Sequence, residues 1–310
     1  MAVARKLPNT NLGRERAIDL AALRQSAVPV GGSILHPTTE TRLAAMKTAY
    51  DDALADIAAA QANLSVNTPD KTAKMELVRT VVSQFIQVFN MGVSRNKYPA
   101  AHRAYYQLEV GSETVPNLDT DSDALLWAKH LAEGDPVRVA AGGAAMANPD
   151  LAELTAARNP AILAYGLQTS LSGALDTSQE ALNALNEDAD SLIKRIWDDA
   201  EAFYGEEEPA SMRNNARQWG VVYITLGPPA TLTGLVKNAG GAPQVGAEVI
   251  VVETGAAALT NADGRYSIET TVTGNVIVRA TLGALTAQVT VAIPEEHEGI
   301  VVEVPDIVIV

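Results

Sequence analysis

The feature that most limits what this chain can become is the stretch from Asn159 to Gly205, which reads as one long helix. Asn159 followed by Pro160 is an N-cap residue with proline at the first helical position, and Gly205 supplies a left-handed residue that ends a helix. Between them Leu182, Leu185, Ala189, Leu192, Ile196 and Phe203 keep to steps of three and four, so they line one side. At ~1.5 Å per residue such a helix would be roughly 65 to 70 Å long, so its apolar stripe needs other long helices beside it.

The chain offers two partners. Pro37 opens a helical pattern in which Leu43, Met46, Tyr50, Ala53, Ile57, Ala60 and Leu64 share a face. Thr68, Pro69 and Asp70 then read as a cap, a proline and an acidic first turn, followed by Met75, Val78, Val82, Phe85 and Phe89 in the same rhythm. The short separation of Leu64 from Pro69 predicts two antiparallel helices joined as a hairpin. Leu77, Val81, Ile86 and Val88 widen the apolar set of the second, which is expected to be the most buried helix.

Around these rods the pattern is weaker. Residues 1–12 read as an extended arm, Gly13 to Ser26 as a short helix, and Val28 to Ser33 as a loop. From Met91 to Asp121 the period is lost, while Tyr98, Tyr105 and Tyr106 gather. Such tyrosines are expected to pack over the end of a bundle with their hydroxyls directed at water or backbone; the alternative is a binding surface for a ligand. Thr120 and Asp123 cap a helix predicted over Asp121 to Glu133, with Gly134 as its stop, and Asn148 and Pro149 start one more short helix. A last helical piece runs from Pro209 to Trp219, and Val221 to Leu226 is already strand-like.

Gly227, Pro228 and Pro229 mark a change of language, from Ala, Leu and charges to Val, Thr and Gly with a turn signal every few residues. Strands are predicted at Thr231 to Val236, Ala247 to Glu253, Tyr266 to Thr270, Val276 to Thr281, Leu285 to Ile293, Ile300 to Val304 and Ile307 to Val310. With no helical signal among them, these make a β-sandwich. The signatures Leu232-Thr233-Gly234-Leu235-Val236, Pro243-Gln244-Val245-Gly246-Ala247-Glu248-Val249 and Thr260-Asn261-Ala262-Asp263-Gly264-Arg265-Tyr266-Ser267-Ile268 follow one another. In that order they resemble the carboxypeptidase regulatory-like domains, small transthyretin-like sandwiches. The resemblance covers Ala230 to Val310 and implies a non-catalytic accessory module of the kind that recurs in surface and assembly proteins. One departure is the continuation past Pro305 into Ile307, Val308, Ile309 and Val310, a candidate edge strand for a neighbouring subunit.

Composition narrows the function classes. A formal charge of -14 opposes binding to nucleic acid, whose phosphates are neutralised by Lys and Arg. The absence of cysteine excludes disulfides and thiolate chemistry. Neither a signal-peptide pattern nor a membrane-spanning apolar run is legible, which suits a cytoplasmic protein or one exported without a cleavable leader. His130 and Glu133 have the His-x-x-Glu spacing of zinc carboxypeptidases, but His36, His102 and His297 are isolated, so a helix surface explains the pair better. The sequence holds no Glu-x-x-His, nucleophile elbow, P-loop or dinucleotide fingerprint. The turn Asn261 to Gly264 is too short for a calcium loop.

The expected architecture is therefore a multi-domain α plus β chain. An elongated antiparallel helical bundle over 1–226, with an arm and short helix in 1–36, precedes a seven-stranded β-sandwich over 227–310. No catalytic, cofactor-binding or metal-ligating residue is assigned. The expected role is a non-enzymatic structural or assembly subunit whose partners are copies of itself or other proteins. The alternative is a monomeric adhesion or ligand-binding module using the sandwich loops or the Tyr98 to Tyr106 region.

Overall fold

The structure is a computed structural model that describes residues 2–29, 32–295, 297 and 299–310. Val30 and Gly31, in the predicted Val28 to Ser33 loop, lie outside the described residues. In chain order it places β1 (Val3–Arg5), α1 (Asn11–Ser26), α2 (Pro37–Ser94), a 3-10 helix (Ala100–Tyr106), α3 (Asp121–Ala140), α4 (Leu151–Phe203), α5 (Pro209–Arg217) and β2 (Tyr223–Thr225). The strands β3 (Ala230–Asn238), β4 (Glu248–Val251), β5 (Ala256–Leu259), β6 (Arg265–Thr270), β7 (Gly274–Leu282), β8 (Leu285–Ile293), β9 (Val301–Glu303) and β10 (Ile307–Ile309) complete it. A helical N-terminal region is thus followed by a β-sheet region. Two compact units emerge, one of Met1–Leu54 with Ala181–Val310 and one of Ala55–Glu180.

The predicted hairpin at Leu64 to Pro69 is absent. Residues 37–94 form the single helix α2, with Pro69 inside it. The reason lies in the phase of the pattern. Leu64, Asn67, Lys71, Lys74 and Val78 continue the steps of three and four through the supposed turn, and all are buried or half-buried. Proline deletes one amide donor and frees the carbonyl of Ser65, but both residues are exposed, so that carbonyl faces solvent. Likewise α4 starts at Leu151 rather than Asn159, absorbs the short helix expected after Asn148, and carries Pro160 on its exposed side. Its true start is a reciprocal cap: Asp150 Oδ1 accepts from the Glu153 amide at 2.8 Å, and Glu153 Oε2 accepts from the Asp150 amide at 2.9 Å.

The first unit joins the N-terminal segment, the near ends of the long helices and all the strands. The predicted arm is partly a strand, since Val3–Arg5 pairs antiparallel with Tyr223–Thr225. Helix α1 starts at Asn11 rather than Gly13, and Thr10 caps it, its hydroxyl oxygen accepting from the Gly13 amide. Helices α2 and α4 run side by side here: the Tyr50 hydroxyl reaches Asn186 Oδ1 at 3.2 Å and the Asn11 carbonyl at 3.3 Å. Arg14 forks onto Asp190 at 2.8 and 2.9 Å, tying α1 to α4. Ile18, Tyr50, Ile196, Trp197 and Trp219 are fully buried among these elements.

The strands β3 to β10 form two four-stranded sheets. One has the order β10-β3-β6 with β9 also on β3, and the other has the order β5-β4-β7-β8. The strand β5 joins the seven expected. Leu232, Val236, Val249, Val251, Val276, Val278, Ile307 and Ile309 are buried, the alternation expected of sandwich strands. Separated by Pro305, β9 and β10 both pair parallel with successive stretches of β3, at Thr231 to Thr233 and at Val236 to Asn238.

The second unit is all helical. Met75, Val78, Val82, Phe85 and Phe89 of α2 meet Ala124, Ala128 and Leu131 of α3 and Leu154, Ala157 and Ala161 of α4 in one core. Gly134 does not stop α3, which runs on to Ala140. A Cβ there would lie 2.2 Å from the Tyr105 carbonyl oxygen, so the glycine admits the backbone of the 3-10 helix against α3.

Candidate functional site

The second unit leaves one surface that its own core does not use. Along α4, Leu154, Ala157, Ala161, Ala164, Gln168 and Leu171 form the covered face at alternating steps of three and four. A second row, Ala152, Ala156, Pro160, Leu163, Leu167, Ser170 and Ala174, follows nearly the same rhythm and is exposed throughout. Leu163 is 74% exposed and Leu167 48%, where the core leucines Leu131 and Leu154 are at 0%. From Asn159 to Leu175 the helix carries no charged residue, and neither does the neighbouring stretch of α2 from Ile57 to Pro69. The two stretches touch, since Gln168 Nε2 donates to Thr68 Oγ1 at 3.0 Å. Val66, in that stretch of α2, is 77% exposed. In so acidic a chain this is an exposed, charge-free surface with leucines at heptad spacing, the pattern of a helix that packs on both sides.

Tyr98, Tyr105 and Tyr106, expected to pack over the end of the bundle and named as a candidate binding surface in the alternative, are divided by the fold. Tyr98 and Tyr106 are core residues, stacked on Phe89 at 5.3 Å and set edge-on to it at 5.1 Å, while Tyr105 remains partly exposed beside His102. The Tyr106 hydroxyl donates to Asp135 Oδ1 at 2.6 Å, and Arg138 Nε donates back to that hydroxyl at 2.6 Å. Burial, then the bond to Asp135, pushes the Tyr106 phenol far up. The Arg138 guanidinium is 5.1 to 5.8 Å from the rings of Tyr98, Phe89 and Tyr106 and donates to Asp135 and the Ala144 carbonyl. This cluster is a polar plug inside the core, closed by aromatic faces.

The C-terminal strand expected at Ile307, Val308, Ile309 and Val310 is built into its own sandwich. Ile307 and Ile309 are buried, Val308 and Val310 point outward, and the inner edge of the strand pairs with β3. In its sheet β10 is the last strand on that path, and it also lies against β7 and β8 of the other sheet. His130 packs edge-on to Trp127 at 5.2 Å, and Glu133 faces Lys129 at 3.9 Å. Among the described residues no group of three or more His, Asp or Glu is placed to hold a metal ion, and no helix is long and apolar enough to cross a membrane.

Sequence reasoning passed over the exposed α4 row. Leu163, Leu167, Ser170 and Ala174 keep heptad spacing within a charge-free run, a legible signal inside the helix predicted from Asn159, but the stripe read there begins only at Leu182.

No family model matches the chain, and no curated protein matches it. A solved structure from Acetivibrio cellulolyticus, a C-terminal interface mutant of a type II cohesin–X-dockerin complex, is similar at 19% identity and a TM-score of 0.21. That match covers 26% of this chain and 56% of the other.

Proposed function

We propose that this protein is a non-enzymatic structural subunit that assembles with copies of itself through the exposed α4 row. The observation that carries the reading is the charge-free, heptad-spaced surface around Leu163 and Leu167. A second copy is the favoured occupant because of charge. Two chains of formal charge -14 repel over most of their surfaces, and an uncharged band is where they can meet without placing carboxylates against carboxylates. Apolar side chains at steps of three and four also suit a helix of the same kind. The sandwich supports an assembly role through its resemblance to carboxypeptidase regulatory-like modules.

The test is the mass of the full-length chain in solution by light scattering across a concentration series. An oligomer is expected, and the double variant Leu163→Glu with Leu167→Glu should return it to monomer with unchanged helical circular dichroism. A strictly monomeric parent at high concentration, or a charged variant that assembles as well as the parent, would defeat the proposal.

A further inference from the structure

The first unit contains a polar cleft that the assembly reading does not use. It has a volume of about 460 Å³ and lies where α1 and α5 face the β4 end and the β6–β7 turn. Its floor is Glu253, 2% exposed, whose carboxylate oxygens accept from the Ile277 amide at 2.9 and 3.2 Å. Arg16 of α1 reaches the same carboxylate with Nη2 at 3.0 Å. Arg217, at the end of α5, also lines the cleft and lies 5.1 Å over the Tyr223 ring. Its Nη1 is 3.1 Å from Asn214 Oδ1 and 2.6 Å from Glu295 Oε1, and its Nη2 donates to Thr273 Oγ1 at 3.1 Å. Gly274, at a φ of +88°, lets the arginine lie against the turn, because a Cβ there would sit 2.6 Å from Arg217 Nε.

Three properties separate this cleft from a plain structural contact. First, two guanidinium heads line it, and the Nε atoms of both Arg16 and Arg217 are buried without a hydrogen-bond partner among the described residues. An arginine N–H can only donate, and with both Nε atoms out of reach of solvent an entering acceptor meets the accessible part of each side chain, 18% for Arg16 and 15% for Arg217. Second, each guanidinium is already held in place by other bonds: Arg16 by Glu253, and Arg217 by Asn214, Thr273, Glu295 and the Tyr223 ring. Charges fixed in this way lose little freedom when a ligand arrives. Third, the exposed amides of Asn214, Gln218 and Asn275 stand among the lining residues, and an amide offers both donor and acceptor to a hydroxyl. The remaining wall is apolar, with Leu20, Val221 and Val272. Cationic heads, several amides and an apolar wall in one concave space make a site for a charged ligand that also carries hydroxyls and a ring or carbon face.

We propose that this cleft binds an anionic sugar, a carboxylate or phosphate on a hydroxylated ring, with the anionic group on Arg16 and Arg217 and the hydroxyls on the rim amides. The volume suits one sugar residue, either a free monosaccharide or one unit of an acidic oligosaccharide. Binding here does not depend on the α4 row, so it stands or falls apart from the assembly proposal.

The test is isothermal titration of the full-length chain with glucuronate, glucose 6-phosphate, neutral glucose, inorganic phosphate and a glucuronate-containing oligosaccharide. Glucuronate or glucose 6-phosphate should bind at least about ten-fold more tightly than glucose, as expected for charge-assisted bonds. Tighter binding of the oligosaccharide than of glucuronate assigns the site to a chain; equal binding assigns it to the free sugar. Arg217→Gln should weaken the anionic sugars at least about ten-fold while leaving the glucose titration unchanged. Arg16→Gln risks the fold by leaving Glu253 unpaired, so the double variant Arg16→Gln with Glu253→Gln provides the second check and should also lose the anion preference. Absence of binding by both anionic sugars, equal binding of glucose, inorganic phosphate binding as tightly as glucose 6-phosphate, or full affinity in Arg217→Gln would each overturn the proposal.

Discussion

Two arginine–carboxylate pairs, each with a buried carboxylate, have opposite surroundings. In the second unit Arg138 and Asp135 sit among Phe89, Tyr98 and Tyr106, with Arg138 wholly inaccessible. In the first unit Arg16 and Glu253 form the floor of an open cleft of about 460 Å³. Both arginines leave one nitrogen without a hydrogen-bond partner, Nη1 in Arg138 and Nε in Arg16. Both of those nitrogens are buried, and what differs is the rest of the side chain. Packed protein closes over all of Arg138, which turns the pair into a rigid plug; the Arg16 side chain keeps 18% of its surface open and lines the cleft, which turns the pair into one wall of a site. The chemistry of a residue pair therefore does not decide its role, and the packing density around it does.

The comparison is best broken at the plug. Arg138→Ala should leave Asp135 and the Tyr106 hydroxyl buried without their cation, at a cost of about 3 to 5 kcal/mol in chemical unfolding of the full-length chain. A cost under about 1 kcal/mol would mean that the pair is not a structural element. A smaller effect is expected at Asp121, on the surface of the same unit. Burial alone would raise this carboxyl, but Lys71 at 2.6 Å and Arg79 outweigh it and hold it below its ordinary value. A folded-state value lower than the unfolded one contributes stability above the unfolded value, and that stability is lost as pH falls through the folded one. Asp121→Asn should accordingly cost about 1 kcal/mol near neutrality and nearly nothing in strong acid, read by urea unfolding along a pH series.

The smallest effect, and the sharpest contrast in sign, belongs to Glu253. Its burial pushes the carboxyl up, against the pull of Arg16 and the Ile277 amide. A raised folded-state value favours the protonated form in the fold, so the contribution is present at low pH and fades as pH rises through the folded value. Relative to Glu253→Gln, the parent should lose stability as pH climbs from about 4.5 towards neutrality, the reverse of the Asp121 comparison. A pH series with the same sign at both positions would sink the distinction.

Much of the architecture was legible in the residues. The strands of the sandwich follow from Val and Thr alternation and regular turns, and the covered faces of α2 and α4 follow from steps of three and four. What misled was local punctuation. Thr68-Pro69-Asp70 and Asn159-Pro160 carry the chemistry of a helix start, and Gly134 that of a stop, yet all lie inside helices. The overriding signal was present: the heptad phase from Leu64 through Asn67, Lys71 and Lys74 to Val78 never resets. Burial along a continuous face outweighs the roughly 3 kcal/mol that a helical proline costs. Glu253 was legible in the same way, because it falls in phase with the buried Val249 and Val251, where an acid needs a partner. Arg16 and Arg217 gave no such sign, as surface-type cations in short polar helices.

From the sequence alone came the kinds of element, the order of helices before strands, and the faces they bury, because periodicity is a property of neighbours along the chain. Only the tertiary structure decided that Tyr98 and Tyr106 belong inside, that β10 closes onto β3, and that Arg16, Glu253 and Arg217 meet around one cleft. Those residues are far apart in sequence, and their meeting is set by packing, on which no local pattern reports.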